Sequence, residues 1–210
     1  MTKGATIPRG DSDIDILEKL FSRSGDTGSS RTTAERIINK AGGLAAAIAC
    51  SDGRLRKFGA TSNEVEALQF LKMAIKTALL RKIEDRPLLN DFDAVTDFCH
   101  ATLAHKSIEE FWVLYMTNRN HLIRAEMMWT GTVNQAPAYP REILARALDL
   151  YASAMILVHN HPSGDSTASR NDIQMTRAIV DGAKAIGMSV HDHIIVSKTG
   201  CASMRALGLM

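Results

Sequence analysis

Between two stretches of helical periodicity lies Ala154-Met155-Ile156-Leu157-Val158, five apolar residues in a row. The run is too short for a buried helix, and its alternate residues are all apolar, so it predicts a strand covered on both faces. A strand of that kind needs helices on either side of it. The flanking text supplies them. Pro140 suits the first position of a helix carrying Ile143, Leu144, Ala147, Leu148 and Tyr151. A second helix is predicted from Ser169 to Ile186, stopped by Gly187. Phe111–Met116 is likewise apolar on both faces; Thr117–Asn120 then makes a turn into a strand over His121–Thr130. Met188–Val190 and Ile194–Val196 are predicted as the last strands. Strand, helix and strand in this order imply an α/β domain with a right-handed crossover.

Upstream of Pro87 the rhythm is helical. Ile14, Leu17, Leu20 and Phe21 share one spacing, Thr33–Arg36 opens a second helix, and Asn63 is the expected cap of a long helix through Leu79. The expected organisation is a flexible tail at 1–11, a small all-α domain at 12–86 and an α/β domain at 88–210. The 210 residues, 45% hydrophobic and 23% charged, are ordinary for a globular protein. A net charge of +2 does not demand a polyanionic partner. No apolar run approaches the length of a membrane span, and Met1-Thr2-Lys3-Gly4 lacks the apolar segment of a signal peptide. Cys50, Cys99 and Cys201, odd in number and far apart, read as reduced thiols of a cytoplasmic protein.

All seven histidines fall between His100 and His193. Two of them, His159 and His161, leave the end of the buried strand. Residues i and i+2 of an extended chain point the same way, so both imidazoles can address one point. Pro162 and Gly164 turn the chain back, and Asp172 falls in the first turn of the next helix. Two imidazoles and a carboxylate make a three-ligand zinc site whose fourth position is left for water. Each part also has a plainer reading. His-x-His is common by chance, and Ser169-x-x-Asp172 is a capping-box pattern.

The combination His159-x-His161-Pro162 with Ser169-x-x-Asp172 resembles the motif of the JAMM (MPN+) zinc metalloproteases. Gly131–Asn134, Tyr139–Ile143, His159–Asp165 and His191–Ile195 resemble signatures of the bacterial RadC-like proteins, across most of residues 90–210. The resemblance implies a mixed-sheet MPN fold, cytidine-deaminase-like, and a Zn²⁺ ion on His159, His161 and Asp172. It further implies that Ser169 donates a hydrogen bond at the reacting centre and that an upstream glutamate is the general acid/base. Glu109 and Glu110 both qualify, and strand alternation cannot choose because both rows are apolar; the family's spacing favours Glu109. The implied activity is metal-assisted hydrolysis of an amide bond in a protein or peptide.

The resemblance carries a second implication, a DNA-repair or plasmid-maintenance accessory role with a structural metal. The family's N-terminal region resembles a helix-hairpin-helix unit that approaches DNA phosphates. Here the corresponding turn is Arg56-Lys57-Phe58-Gly59-Ala60-Thr61, with Thr61 where a second glycine is usual and Arg54 nearby. His191-Asp192-His193 lacks the proline, serine and aspartate of the first pair, so support or packing is expected of it. Trp112, Trp129 and the ten methionines suit a core or a homodimer interface.

Overall fold

The computed structural model describes residues 12–24, 30–84, 87–131 and 139–210. The expected tail at 1–11 and residues 132–134 of the Gly131–Asn134 signature lie outside them. Two compact units are formed, Met1–Ala74 and Ile75–Met210. The division falls inside a helix upstream of Pro87, because Leu79, Leu80 and Ile83 cluster with Leu88 and with residues of the sheet.

The first unit is helical. It contains α1 (Asp13–Arg23), α2 (Ser30–Ala41), α3 (Leu44–Ala49), α4 (Asp52–Lys57) and the start of α5 (Ser62–Glu84). Its core gathers Leu17, Phe21, Ile37, Leu55 and Leu68. Asn63 does not cap α5. Thr61 does: its hydroxyl accepts from Glu64 N–H at 3.3 Å while the Glu64 carboxylate accepts from Thr61 N–H at 2.7 Å. Gly59 takes a φ of 95°, and a Cβ there would collide with the Arg36 guanidinium.

The second unit is an α/β domain. After the remainder of α5 come α6 (Phe92–Leu103), β1 (Glu110–Met116), β2 (Leu122–Thr130), α7 (Pro140–Asp149), β3 (Ala154–Asn160), α8 (Arg170–Ala185), β4 (Ser189–Ser197) and β5 (Gly200–Ser203). The sheet order is β2-β1-β3-β4-β5. β1 pairs antiparallel with β2 and β3, β3 runs parallel to β4 across α8, and β5 closes the edge antiparallel to β4. The sheet is therefore mixed, as expected.

Strand alternation sends Phe111, Val113, Tyr115, Met155 and Leu157 to one face, packed with Ile143 of α7 and Ile179 of α8. Leu114, Met116, Ile156, Val158, Ile194 and Val196 go to the other, packed with Val95 and Phe98 of α6. Each such fully buried side chain contributes about 1.5–3 kcal/mol.

The region after Gly187 differs from expectation. The two expected strands are one, β4, and β5 follows it. The buried Asp192 carboxylate accepts from Ser203 Oγ at 2.5 Å and from the N–H groups of Arg205 and His193, so a charged residue is tolerated inside a strand.

Candidate metal centre

His159, 1% exposed, lies near the C-terminal end of β3, directly across from Phe111 of β1. Their rings stack at 6.2 Å between centroids with 14° between planes. Phe111 thus forms the apolar wall against which the imidazole is held. Past the strand, His161 N–H donates to Val196 C=O at 2.8 Å, which keeps the chain beside β4 for one more step. Gly164 then takes a φ of 93° and donates to His161 C=O, closing the turn. The turn brings Asp165 C=O to 2.7 Å from His161 Nδ1.

Ser169 caps α8. Its hydroxyl accepts from Asp172 N–H at 3.1 Å, and the Asp172 carboxylate accepts from Ser169 N–H at 2.7 Å. The capping box and the convergence of ligands are therefore both present in one motif. By fixing the carboxylate in the first helical turn, the cap sets Asp172 Oδ1 3.4 Å from His159 Nε2 and Oδ2 3.5 Å from His161 Nε2. The two Nε2 atoms are 2.9 Å apart. With Glu109 included, one donor atom from each of the four residues lies within 4.8 Å of all the others. This is a group able to hold a metal ion, with two imidazoles and two carboxylates of borderline-to-hard character.

Burial pushes the Asp172 carboxyl up, but the imidazoles of His159 and His161 beside it outweigh burial and hold the group well below the usual carboxylate range. The same carboxylate raises His161 above the ordinary histidine value. His193, wholly enclosed, is driven well below that value by burial and stays neutral.

The two candidate glutamates separate cleanly. Glu109 follows the alternation of Phe111 and His159 and joins the cluster. Glu110 points to the opposite face of the sheet, where its carboxylate takes Lys106 Nζ at 2.7 Å and Trp112 Nε1 at 3.0 Å. Lys76 Nζ lies 4.7 Å from the centre of the Trp112 ring. Asn160, between the two histidines, also points away from the cluster. Its Oδ1 accepts from Glu110 N–H at 2.8 Å and its Nδ2 donates to Ile108 C=O at 3.1 Å. Gly131 N–H donates to Glu109 C=O at 2.7 Å.

Behind His159 stands a second layer. His159 Nδ1 is 2.7 Å from His193 Nε2, and His193 Nδ1 is 2.6 Å from Thr176 Oγ1. His193 is thus buried support for His159. His191 turns away to Asn120 Oδ1 at 2.8 Å. Sequence reasoning did not single out Thr176, Asn160 or Phe111. Thr176 lies four residues after Asp172, on the same helix face, which is the signal that could have found it.

Residues 89–209 match the RadC-like JAB domain. The chain belongs to the RadC family. The JAB domain spans the whole sheet, from the helix before β1 to the residues after β5, and contains every member of the metal-competent cluster. Among the described residues of the chain, no helix is long and apolar enough to cross a membrane.

Proposed function

We propose that this protein hydrolyses an amide bond, peptide or isopeptide, with the help of a zinc ion held by His159, His161 and Asp172. The observation that carries the reading is the convergence of those three side chains beside Glu109, all four donors within 4.8 Å. Two imidazoles and one carboxylate suit zinc, and the two Nε2 atoms face each other 2.9 Å apart beside the Asp172 carboxylate. Held there, zinc supplies Lewis acidity that activates water at neutral pH and polarises a carbonyl.

The remaining work belongs to the chain. Glu109, only 8% exposed, takes the proton that the attacking water gives up and passes it to the departing amine nitrogen. Ser169 Oγ accepts from Asp172 N–H, so its own hydrogen is available to the carbonyl oxygen under attack. Phe111 excludes water from the inner side of His159.

The test is hydrolysis in ¹⁸O water of a tryptic peptide pool and a lysine-linked isopeptide set, read by mass spectrometry. New carboxylates carrying ¹⁸O are expected with the zinc-loaded protein. Glu109→Gln is expected to lose roughly 10²–10⁴-fold of that rate. Equal labelling by both proteins would remove the reading.

The accessory role on DNA rests on the turn near Gly59. There Arg54 lies over the Phe58 ring at 5.5 Å and Arg56 Nη1 donates to Ser62 Oγ at 3.0 Å, so both side chains have local contacts. A duplex-binding constant that falls steeply with salt would support it. Free thiols at Cys50, Cys99 and Cys201 agree with a reducing, cytoplasmic setting for either activity.

A further inference from the structure

Two backbone carbonyls decide where the protons of the histidine cluster sit. A carbonyl oxygen can only accept. Thr176 Oγ1 lies 2.6 Å from Asp172 C=O, so the hydroxyl hydrogen is committed to that carbonyl. At the same oxygen, 2.6 Å away, His193 Nδ1 must then be the donor. A neutral His193 with its hydrogen on Nδ1 has a bare Nε2. That atom accepts across the 2.7 Å contact, which places a hydrogen on His159 Nδ1 and a lone pair on His159 Nε2. At the other histidine, Asp165 C=O lies 2.7 Å from His161 Nδ1, so that nitrogen too is the donor and His161 Nε2 presents a lone pair.

We infer that Thr176 and His193 are positioning residues that lock His159 in the Nδ1–H tautomer, so that both Nε2 lone pairs face one point before any metal arrives. The inference rests on the zinc reading for its purpose but not for its geometry. Two lone pairs 2.9 Å apart beside a carboxylate repel one another, and only a shared proton or a metal ion between them relieves it. The order of donors is unbroken: His159 to His193, His193 to Thr176, Thr176 to the backbone of Asp172, itself one of the converging residues. The relay therefore ties the tautomer of one proposed ligand to the helix turn that carries another. Proton exchange between tautomers would otherwise leave His159 metal-competent only part of the time.

Long-range ¹H–¹⁵N spectra of the histidine rings, on full-length protein with chelator and then with zinc, test the lock directly. His193 is expected as the Nδ1–H tautomer in both; an Nε2–H tautomer would overturn the inference. Zinc affinity, measured by competition with a chromophoric chelator, supplies the second reading. Thr176→Val is expected to weaken binding about 10–100-fold, the usual effect of removing a partner behind a ligand, while Thr176→Ser stays near wild type. Wild-type affinity in Thr176→Val would also overturn it. Should the wild type take up no zinc, the hydrolase reading fails, and the chelated spectra still decide the tautomer.

Discussion

Asn160 holds Glu109 by the backbone on either side of it, accepting from Glu110 N–H and donating to Ile108 C=O. The carboxamide takes the place of a strand pair where β3 leaves the sheet, and it is 1% exposed. Alternation thus gives the histidine pair its middle residue for free: two side chains face the cluster while the third clamps the glutamate's segment from behind.

Asn160→Ala strips a buried donor, Glu110 N–H, and a part-buried acceptor, Ile108 C=O, of their partner. The expected cost is about 1–3 kcal/mol in chemical denaturation of the metal-free protein, the penalty of one unsatisfied buried N–H. A loss below about 0.5 kcal/mol would mean that water replaces the clamp.

Glu110→Gln is the control for Glu109. It removes the charge facing Lys106 but keeps an acceptor for Trp112 Nε1, on the sheet face away from the cluster. Hydrolysis within about twofold of wild type is expected, against the large loss for Glu109→Gln. Equal losses in the two variants would contradict the assignment.

Legibility from sequence followed the locality of each cause. The buried strand, the turn after it and the cap of α8 depend on neighbours within a few residues of Val158 or Ser169, and periodicity and spacing found them. Hydropathy splits β4 into two pieces because Asp192 and His193 are polar, and their partners, Ser203, Arg205 and Thr176, come from other elements. Glu109 and Glu110 could not be separated by alternation because both faces of β1 are covered by helices, which makes both rows apolar. Asn63 stood in for Thr61 because either residue type caps a helix, and only the reciprocal bond with Glu64 chooses.

The pH dependence expected of the proposed zinc site follows from His161. Its folded-state value is raised, first by the Asp172 carboxylate, which accepts from Nε2 only when the ring is protonated, so the metal-free fold holds that proton more tightly than the unfolded chain does. This stabilisation is fully present below the ordinary histidine value of about 6.5 and is lost as pH rises through the raised value. Zinc competes with the same proton. The increase in Tm on adding zinc is therefore expected to grow as pH rises across that window, and an increment flat in pH would contradict it.

Acid sensitivity should trace in part to Glu126 of β2 and Arg146 of α7. The guanidinium contacts the carboxylate at 2.6 and 2.7 Å and holds it below the ordinary glutamate value of 4.5. Stability from the pair is present above that value and lost as pH falls through the depressed one. Arg146→Met is expected to flatten the acid limb of Tm against pH while leaving it parallel to wild type near neutrality.

The three cysteines should resist labelling in the fold. Burial pushes Cys50 up, Cys99 further, and Cys201 up to about 11. At about pH 8 a thiol reagent is expected to react slowly with native protein and quickly with all three after unfolding in guanidinium. A fast native thiol would show an opening not present in this structure.

The most direct test is zinc content per chain, by mass spectrometry of metals on protein dialysed against trace zinc. One ion per chain is expected for the wild type and essentially none for the His159→Ala/His161→Ala double substitution, with circular dichroism confirming that both are folded. Equal zinc in the two proteins, or none in the wild type, would contradict a metal centre on His159, His161 and Asp172.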